Sequence, residues 1–288
     1  MPLRAESLDA LSRLERALRE TVLCGTQRTT FALAYSGGLD SRFLAFAAQR
    51  LGFYPVLLHV CGPHVSRQET AYARDWAAAQ NLPYEEVDVN PLALPLVAAG
   101  DKRRCYACKH ALFSRLKERT PHPLCDGTNA SDSTGYRPGM QAIRELDVLS
   151  PLALAGLGKP AIHTLAADMG MTQPEQKPRP CLLTRLPYGL SPQKEVLAML
   201  DDGEQAVRRV LAAAGLPEAA FRLRLVAPGR PELHMETASG SLSPALRQSL
   251  VETVRRTVPA LPPFPIVLMD TLSGFFDSQP TPDAGSPA

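Results

Sequence analysis

Thr30-Phe31-Ala32-Leu33-Ala34-Tyr35 runs straight into Ser36-Gly37-Gly38-Leu39-Asp40-Ser41, and that junction decides the fold. The first six residues form a short apolar run that stops abruptly, the signature of a buried strand. Asp40 to Leu51 then reads as a helix, so the two glycines occupy a strand-to-helix turn. Such a turn lets backbone N–H groups point at one spot and lets an anion come close. The helix start adds the positive end of its dipole. Ser36 and Ser41 contribute hydroxyls, and Asp40 is placed to cap the helix and to ligate Mg²⁺ beside phosphates. The chain holds no GxxxxGK[ST] and no GxGxxG, which excludes a Walker-type kinase or GTPase and a dinucleotide fingerprint. Gly156-Leu157-Gly158-Lys159-Pro160 imitates the former but has proline in the hydroxyl position.

Working outward, Pro55–Val60 and Tyr84–Val89 read as further strands, and Leu124–Asp126 and Val148–Leu149 as two short ones. Helical periodicity marks residues 7–23, where Leu8, Leu11, Leu14 and Leu18 share a face. It also marks Ser66–Gln80, with Ser66 as N-cap and Glu69 at the capping-box position. Strands alternating with helices predict an α/β doubly wound parallel sheet covered on both faces. The texture changes near Pro187. Ser191–Ala213 and Ser243–Val258 read as helices. Phe221–Val226 and Glu232–Glu236 read as strands paired through Pro228-Gly229, and Pro265–Met269 as another. The expected organisation is a phosphate-loop domain over 1–186 and a small α+β unit over 187–275. A Pro, Gly and Ser rich tail over 276–288 is expected to be disordered.

Composition narrows the function. The 288 residues are 45% hydrophobic and 21% charged, ordinary globular values that rule out global disorder. No apolar run approaches a membrane span, and the first eleven residues lack the apolar core of a secretory signal. Lys plus Arg is 31 against 29 Asp plus Glu, a net charge of +2 that argues against extended nucleic-acid binding. Six cysteines are too few for a disulfide scaffold in a chain of this length. They are expected as reduced cytoplasmic thiols, so a close pair reads as metal or redox chemistry.

Two further stretches fit the phosphate turn. Asp126-Gly127-Thr128-Asn129-Ala130-Ser131-Asp132 follows a short strand, where a doubly wound sheet presents its ligands, so the Gly127 backbone is expected at the same site as the phosphate turn. Arg104-Cys105-Tyr106-Ala107-Cys108-Lys109 carries a C-x-x-C at a helix start, and Cys181 sits between Pro180 and Leu182. Three thiolates suit a [4Fe–4S] cluster with one open iron. Zinc with a fourth ligand (His110 or His64), a Cys105/Cys108 redox pair, and no joint role remain as alternatives. Cys181 alone also fits a sulfur donor or nucleophile. Cys24, Cys61 and Cys125 fit inert core positions.

The SGGLDS turn resembles that of the PP-loop ATP pyrophosphatases. Taken with RCYACK (Arg104–Lys109), DGTNASD (Asp126–Asp132), RPGMQAIRELDVLSPL (Arg137–Leu152), KPRPCLLTRLPYG (Lys177–Gly189) and FRLRLV (Phe221–Val226), the chain resembles the ATP-dependent sacrificial sulfur transferases (LarE) of nickel-pincer nucleotide biosynthesis. That resemblance implies a PP-loop fold of the adenine nucleotide alpha hydrolase type. It implies ATP on Ser36, Gly37, Gly38, Asp40, Ser41, Gly127 and Arg137, with Mg²⁺. It implies adenylation of the carboxylates of a nicotinate-derived mononucleotide, pyridinium-3,5-biscarboxylic acid mononucleotide, and their conversion to thiocarboxylates. In one branch of the family a single cysteine, matching Cys181, gives up its own sulfur. In the other, three cysteines hold a [4Fe–4S] cluster that carries sulfide, and Cys105, Cys108 and Cys181 match that branch. Sulfide or another sulfur donor is then a partner.

The resemblance also implies substrate and phosphate contacts at Glu204, Arg222 and Arg224. Two residues apart on one strand, the two arginines share a face and can meet one phosphate. His234 stands where the family commonly has arginine. A homo-oligomer, by family likeness a hexamer, is the implied assembly. The rival readings are a tRNA thiolase, which also joins a PP-loop to three cysteines, an amide-forming PP-loop ligase that needs none, and a non-catalytic nucleotide sensor.

Overall fold

The computed structural model describes residues 4–22, 29–134, 139–174, 179–237 and 242–277. Arg137, Cys24, Lys177 and the tail from Ser278 lie outside the described residues. The helices in chain order are α1 (Ala5–Val22), α2 (Leu39–Arg50), α3 (Arg67–Ala79), α4 (Pro95–Ala98), α5 (Arg104–Arg119), α6 (Gly139–Glu145), α7 (Pro151–Leu154), α8 (Lys159–Asp168), α9 (Lys194–Ala213) and α10 (Pro244–Thr257). The strands are β1 (Thr30–Ala34), β2 (Tyr54–Cys61), β3 (Tyr84–Asp88), β4 (Leu124–Asp126), β5 (Phe221–Ala227), β6 (Arg230–Glu236) and β7 (Ile266–Met269). The chain divides into two compact units. The first takes residues 1–62, 69–91 and 105–179, and the second 63–68, 92–104 and 180–288.

The first unit is an α/β sandwich of the expected type. Its sheet runs β3-β2-β1-β4, with every neighbour parallel. Successive side chains of a strand face opposite sides, and here both sides are apolar. Phe31 and Leu33 of β1 and Leu57 of β2 enter one core with α1, α2 and α8. Ala32 and Leu58 enter another with Phe113 and Leu116 of α5 and Ile143 of α6. Burial on both faces explains why the strands read as unbroken apolar runs. The expected strand at Val148–Leu149 is reduced to one parallel bridge between Leu149 and Cys125. Leu149 still donates its N–H to the Leu124 carbonyl at 2.9 Å, but α7 begins at Pro151, too soon for a ladder to extend.

The second unit holds a three-stranded mixed sheet ordered β5-β6-β7. The first pair is antiparallel around the Pro228-Gly229 turn and the second parallel. Helix α9 lies close to β5 because Gly203 lacks a side chain: a Cβ there would stand 2.5 Å from Leu223 Cδ2. Ser243 caps α10, its hydroxyl accepting the Leu246 N–H at 3.2 Å. Among the described residues no helix is long and apolar enough to cross a membrane.

Candidate active site

The phosphate turn is built from backbone proximity. Gly37 has φ +75°, a region that favours glycine, and a Cβ there would meet Ala73 Cβ at 2.9 Å. Gly38, not Asp40, is the N-cap of α2, and no side chain caps that end. Asp40 instead lies in the first helical turn. The Ser36 hydroxyl accepts the Gly38 N–H at 3.3 Å and lies 3.2 Å from the Ser41 hydroxyl, which donates to the Gly38 carbonyl at 3.1 Å. The two serines therefore brace the turn as well as face it.

The DGTN turn meets this one directly. Gly127 packs so closely that a Cβ would lie 2.9 Å from Ser41 N and 3.1 Å from Ser41 Cα. Asn129 donates from Nδ2 to Asp40 Oδ2 at 3.1 Å, and its own N–H goes to Asp132 Oδ2 at 3.2 Å. Behind the turn, the Asp126 carboxylate accepts the Thr128 N–H and hydroxyl and the Ser150 hydroxyl. Burial pushes Asp126 up, while those bonds and the charge of Lys109 pull it down. Asp40 is also raised above the usual carboxylate range, by burial first and the negative charge of Asp132 second. The Asn129 bond and the charges of Lys159 and His163 oppose that shift. The structure thus brings Ser36, Gly37, Gly38, Asp40, Ser41 and Gly127 together, five of them from β1-turn-α2 and one from beyond β4. Arg137 lies outside the described residues.

The expected cysteine ligands are divided between the units. Cys105, exposed, and Cys108, buried, fall in the first turn and a half of α5 in the first unit; Cys181 belongs to the second. Among the described residues none of the three, nor Cys61 or Cys125, is joined in a disulfide. Among the described residues no group of three His, Cys, Asp or Glu side chains is gathered as a metal site. Cys125 is fully buried in β4 with its thiol pushed far up by desolvation, in keeping with an inert core role.

Cys181 heads a tight turn in the second unit. Its carbonyl accepts the Thr184 N–H at 3.1 Å and hydroxyl at 2.8 Å, and the Leu182 N–H reaches the His64 carbonyl at 2.8 Å. Arg185 pins this turn to the sheet. Its guanidinium reaches back to the Pro180 carbonyl at 3.1 Å, and it grips Glu204 with both arms, Nε–Oε1 at 2.7 Å and Nη2–Oε2 at 2.9 Å. Glu204 Oε1 also accepts the Leu223 N–H of β5 at 3.0 Å. Arg185 and Glu204 side chains are 7% and 6% exposed, so this is a buried pair. Both Glu204 oxygens are occupied within the protein. Sequence reading placed Glu204 at the substrate and Arg185 among the cations that offset charge around the cysteines; it missed their pairing, for which the available signal was a cation inside the largely apolar run Leu182–Leu186.

Arg222 and Arg224 do converge, as expected from their spacing. Both donate to the Leu272 carbonyl, Arg222 Nη1 at 2.7 Å. Arg224 also meets His234 Nδ1 at 2.6 Å, and His234 Nε2 lies 2.8 Å from Glu232. Because an arginine only donates, His234 Nδ1 accepts and its Nε2 carries the proton. Burial, then neighbouring guanidiniums, lower both arginines to about 10, which leaves them charged at neutral pH. Arg224 is fully buried, and its Nε has no hydrogen-bond partner among the described residues. Three guanidiniums thus act on one another with one buried carboxylate, Glu204, among them, an arrangement that favours an added anion.

Comparison with known proteins agrees with this architecture. The chain is 32% identical over 183 residues to an uncharacterized protein of Synechocystis sp., which covers 62% of this chain and 68% of the relative. The two belong to one family. An uncharacterized protein of Methanocaldococcus jannaschii is 27% identical over 205 residues, 70% of this chain and 77% of its own. A pyridinium-3,5-bisthiocarboxylic acid mononucleotide synthase of Lactiplantibacillus plantarum is 26% identical over 206 residues, 67% of this chain and 72% of its own. That last likeness supports the LarE family to which the motifs point. No protein-family model matches the chain.

Proposed function

We propose that the protein is an ATP-dependent sulfurtransferase of nickel-pincer nucleotide biosynthesis. It adenylates the carboxylates of pyridinium-3,5-biscarboxylic acid mononucleotide and converts them to thiocarboxylates. The observation that carries this reading is the junction of the two turns, where Gly127 packs on Ser41 and Asn129 bonds to Asp40. The likeness to the Lactiplantibacillus synthase supports the choice of substrate.

Ser36, Gly37, Gly38 and Ser41 hold the β,γ-phosphates through N–H and hydroxyl donors and the free start of α2. Gly127, and Arg137 from the matching motif, line the α-phosphate side. A substrate carboxylate oxygen attacks Pα, and pyrophosphate leaves with the electron pair of the broken Pα–O bond. The donors that face the phosphates act most strongly as charge builds there. The chemistry of the residues present fits a divalent cation: Asp40, an oxygen ligand with Asn129 at its side, would hold Mg²⁺, which would neutralise phosphate charge. Arg222 and Arg224 bind the substrate's own phosphate, displacing the Leu272 carbonyl from part of its contact. Glu204 acts from behind them, setting β5 through Leu223 N.

The donor chemistry of Cys105, Cys108 and Cys181 fits a [4Fe–4S] cluster, which would supply sulfide when bound to them. Lys109, within the same C-x-x-C helix, offsets negative charge there. Sulfide supplied there would take the place of AMP on the activated carboxylate, the electron pair of the broken acyl C–O bond leaving with AMP. The enzyme acts in the cytoplasm, where its thiols stay reduced, and works as a homo-oligomer.

Anaerobic assay of pyrophosphate release tests this directly. Release should require the biscarboxylic mononucleotide and vanish in Asp40→Ala, and thiolated product should require Cys181. Iron–sulfide reconstitution should give absorption near 400 nm in wild type that Cys181→Ala lacks; equal spectra would end the cluster assignment. A Cys181 residue that loses the mass of H₂S during turnover would assign the protein to the self-sacrificing branch. Pyrophosphate release with tRNA instead of the mononucleotide would replace the substrate reading.

A further inference from the structure

The run Gly156–Lys159 fails as a Walker-type loop, yet the fold brings it against the phosphate turn from another direction. A continuous path of hydrogen bonds links them. Asn129 Nδ2 donates to Asp40 Oδ2 at 3.1 Å, the Ser131 N–H donates to Asn129 Oδ1 at 2.9 Å, and the Lys159 N–H donates to Ser131 Oγ at 3.0 Å. The Ala130 N–H adds a second tie, to the Leu157 carbonyl at 2.8 Å. Gly158 permits this closeness, since a Cβ there would stand 2.7 Å from Ser131 Oγ. Lys159 is exposed, opens the ten-residue helix α8, and its charge acts on the half-buried carboxylate of Asp40.

The charge balance shows what this lysine is for. Asp40 and Asp132 place two carboxylates beside the phosphate turn, and each disfavours the approach of a polyphosphate. Backbone donors supply only partial positive charge. A full positive charge at the start of α8, close enough to act on Asp40, redresses that balance. We propose that Lys159 is a catalytic residue that contacts the β,γ-pyrophosphate of ATP and offsets the charge gathering on it as the Pα–O bond breaks. This rests on the adenylation reading above. The lysine keeps its proton throughout: the electron pair of the broken bond stays on pyrophosphate, and the ammonium pairs with it.

Binding measurements test this without the thiolated product or a loaded cluster. Isothermal titration with Mg²⁺-pyrophosphate, Mg²⁺-ATP and AMP would compare wild type, Lys159→Ala and Lys159→Arg. The expected result is a loss of about tenfold or more for pyrophosphate and ATP in Lys159→Ala, with AMP changed by less than about twofold and most of the loss recovered in Lys159→Arg. The side chain is exposed, so the variants should melt like wild type. Unchanged pyrophosphate affinity in Lys159→Ala, or an equal loss for AMP, overturns the assignment while leaving the adenylation reading intact. A wild type that binds neither ATP nor pyrophosphate overturns both.

Discussion

The two candidate binding regions are built by opposite means. Around Ser36–Ser41 the site is shaped by close-packed backbone on which Ser36, Asp40 and Ser41 are set, and its glycines matter by lacking side chains. Gly37 sits against Ala73, and Gly127 against Ser41. Around Arg222 and Arg224 the site is made of charge. Arg185 grips Glu204 while Arg222 and Arg224 gather on the Leu272 carbonyl within range of its charge, and the bond of Leu223 N–H to Glu204 fixes the strand. The contrast teaches where each region is vulnerable. A backbone site fails when a methyl group is added, and a charge site fails when a charge is removed.

The largest effect expected on this contrast comes from Glu204→Ala. It leaves Arg185 buried without its partner and Leu223 N without an acceptor, and should cost about 3–5 kcal/mol. The single tryptophan, Trp76, lies in the first unit, so its fluorescence and far-UV circular dichroism report different regions during urea unfolding. The dichroism midpoint should fall further than the fluorescence midpoint. Coincident shifts of both would show that the charge site supports the whole chain and break the comparison.

Next in size is Gly127→Ala. The added methyl meets backbone, which cannot rotate away, so about 1–3 kcal/mol of strain falls on the junction of the two turns. ATP affinity should drop by roughly tenfold or more, read by titration, while affinity for the substrate mononucleotide stays near wild type. A parallel loss of both would mean that the two regions are one.

Asp40→Asn sharpens the comparison through pH. A carboxyl whose folded pKa lies above its unfolded value holds its proton more tightly when folded. Its contribution to stability is therefore complete below the unfolded pKa and is lost as pH rises through the raised one. Asp40 is such a group. Asparagine removes that loss, so Asp40→Asn should be more stable than wild type at neutral pH, with little difference near pH 3. Thermal melts across that range check it, and a less stable variant at pH 7 would contradict the burial argument. The smallest change is expected from Arg222→Gln, which gives up one bond to the Leu272 carbonyl. Stability should fall by about 1 kcal/mol or less, but retention of the substrate phosphate should weaken more. An unaffected substrate affinity would remove Arg222 from the site.

What the sequence determined by itself is local. An apolar run ending at Ser36-Gly37-Gly38 permits few structures besides a buried strand, a tight turn and a helix, because period and turn chemistry act within ten residues. The parallel sheet followed from repetition of that unit, and the pairing of β5 with β6 from one Pro-Gly turn. Tertiary structure alone decided the rest. That Gly127 needs to be glycine depends on Ser41, 86 positions earlier. That Lys159 belongs beside Asp40 depends on Ser131 lying between them. That Glu204 serves Arg185 and Leu223 depends on a helix packing on a strand through Gly203. Each of these is a contact between segments whose separation along the chain carries no periodic signal. Only the packing of both cores brings them within hydrogen-bonding distance, and so turns isolated residue types into sites.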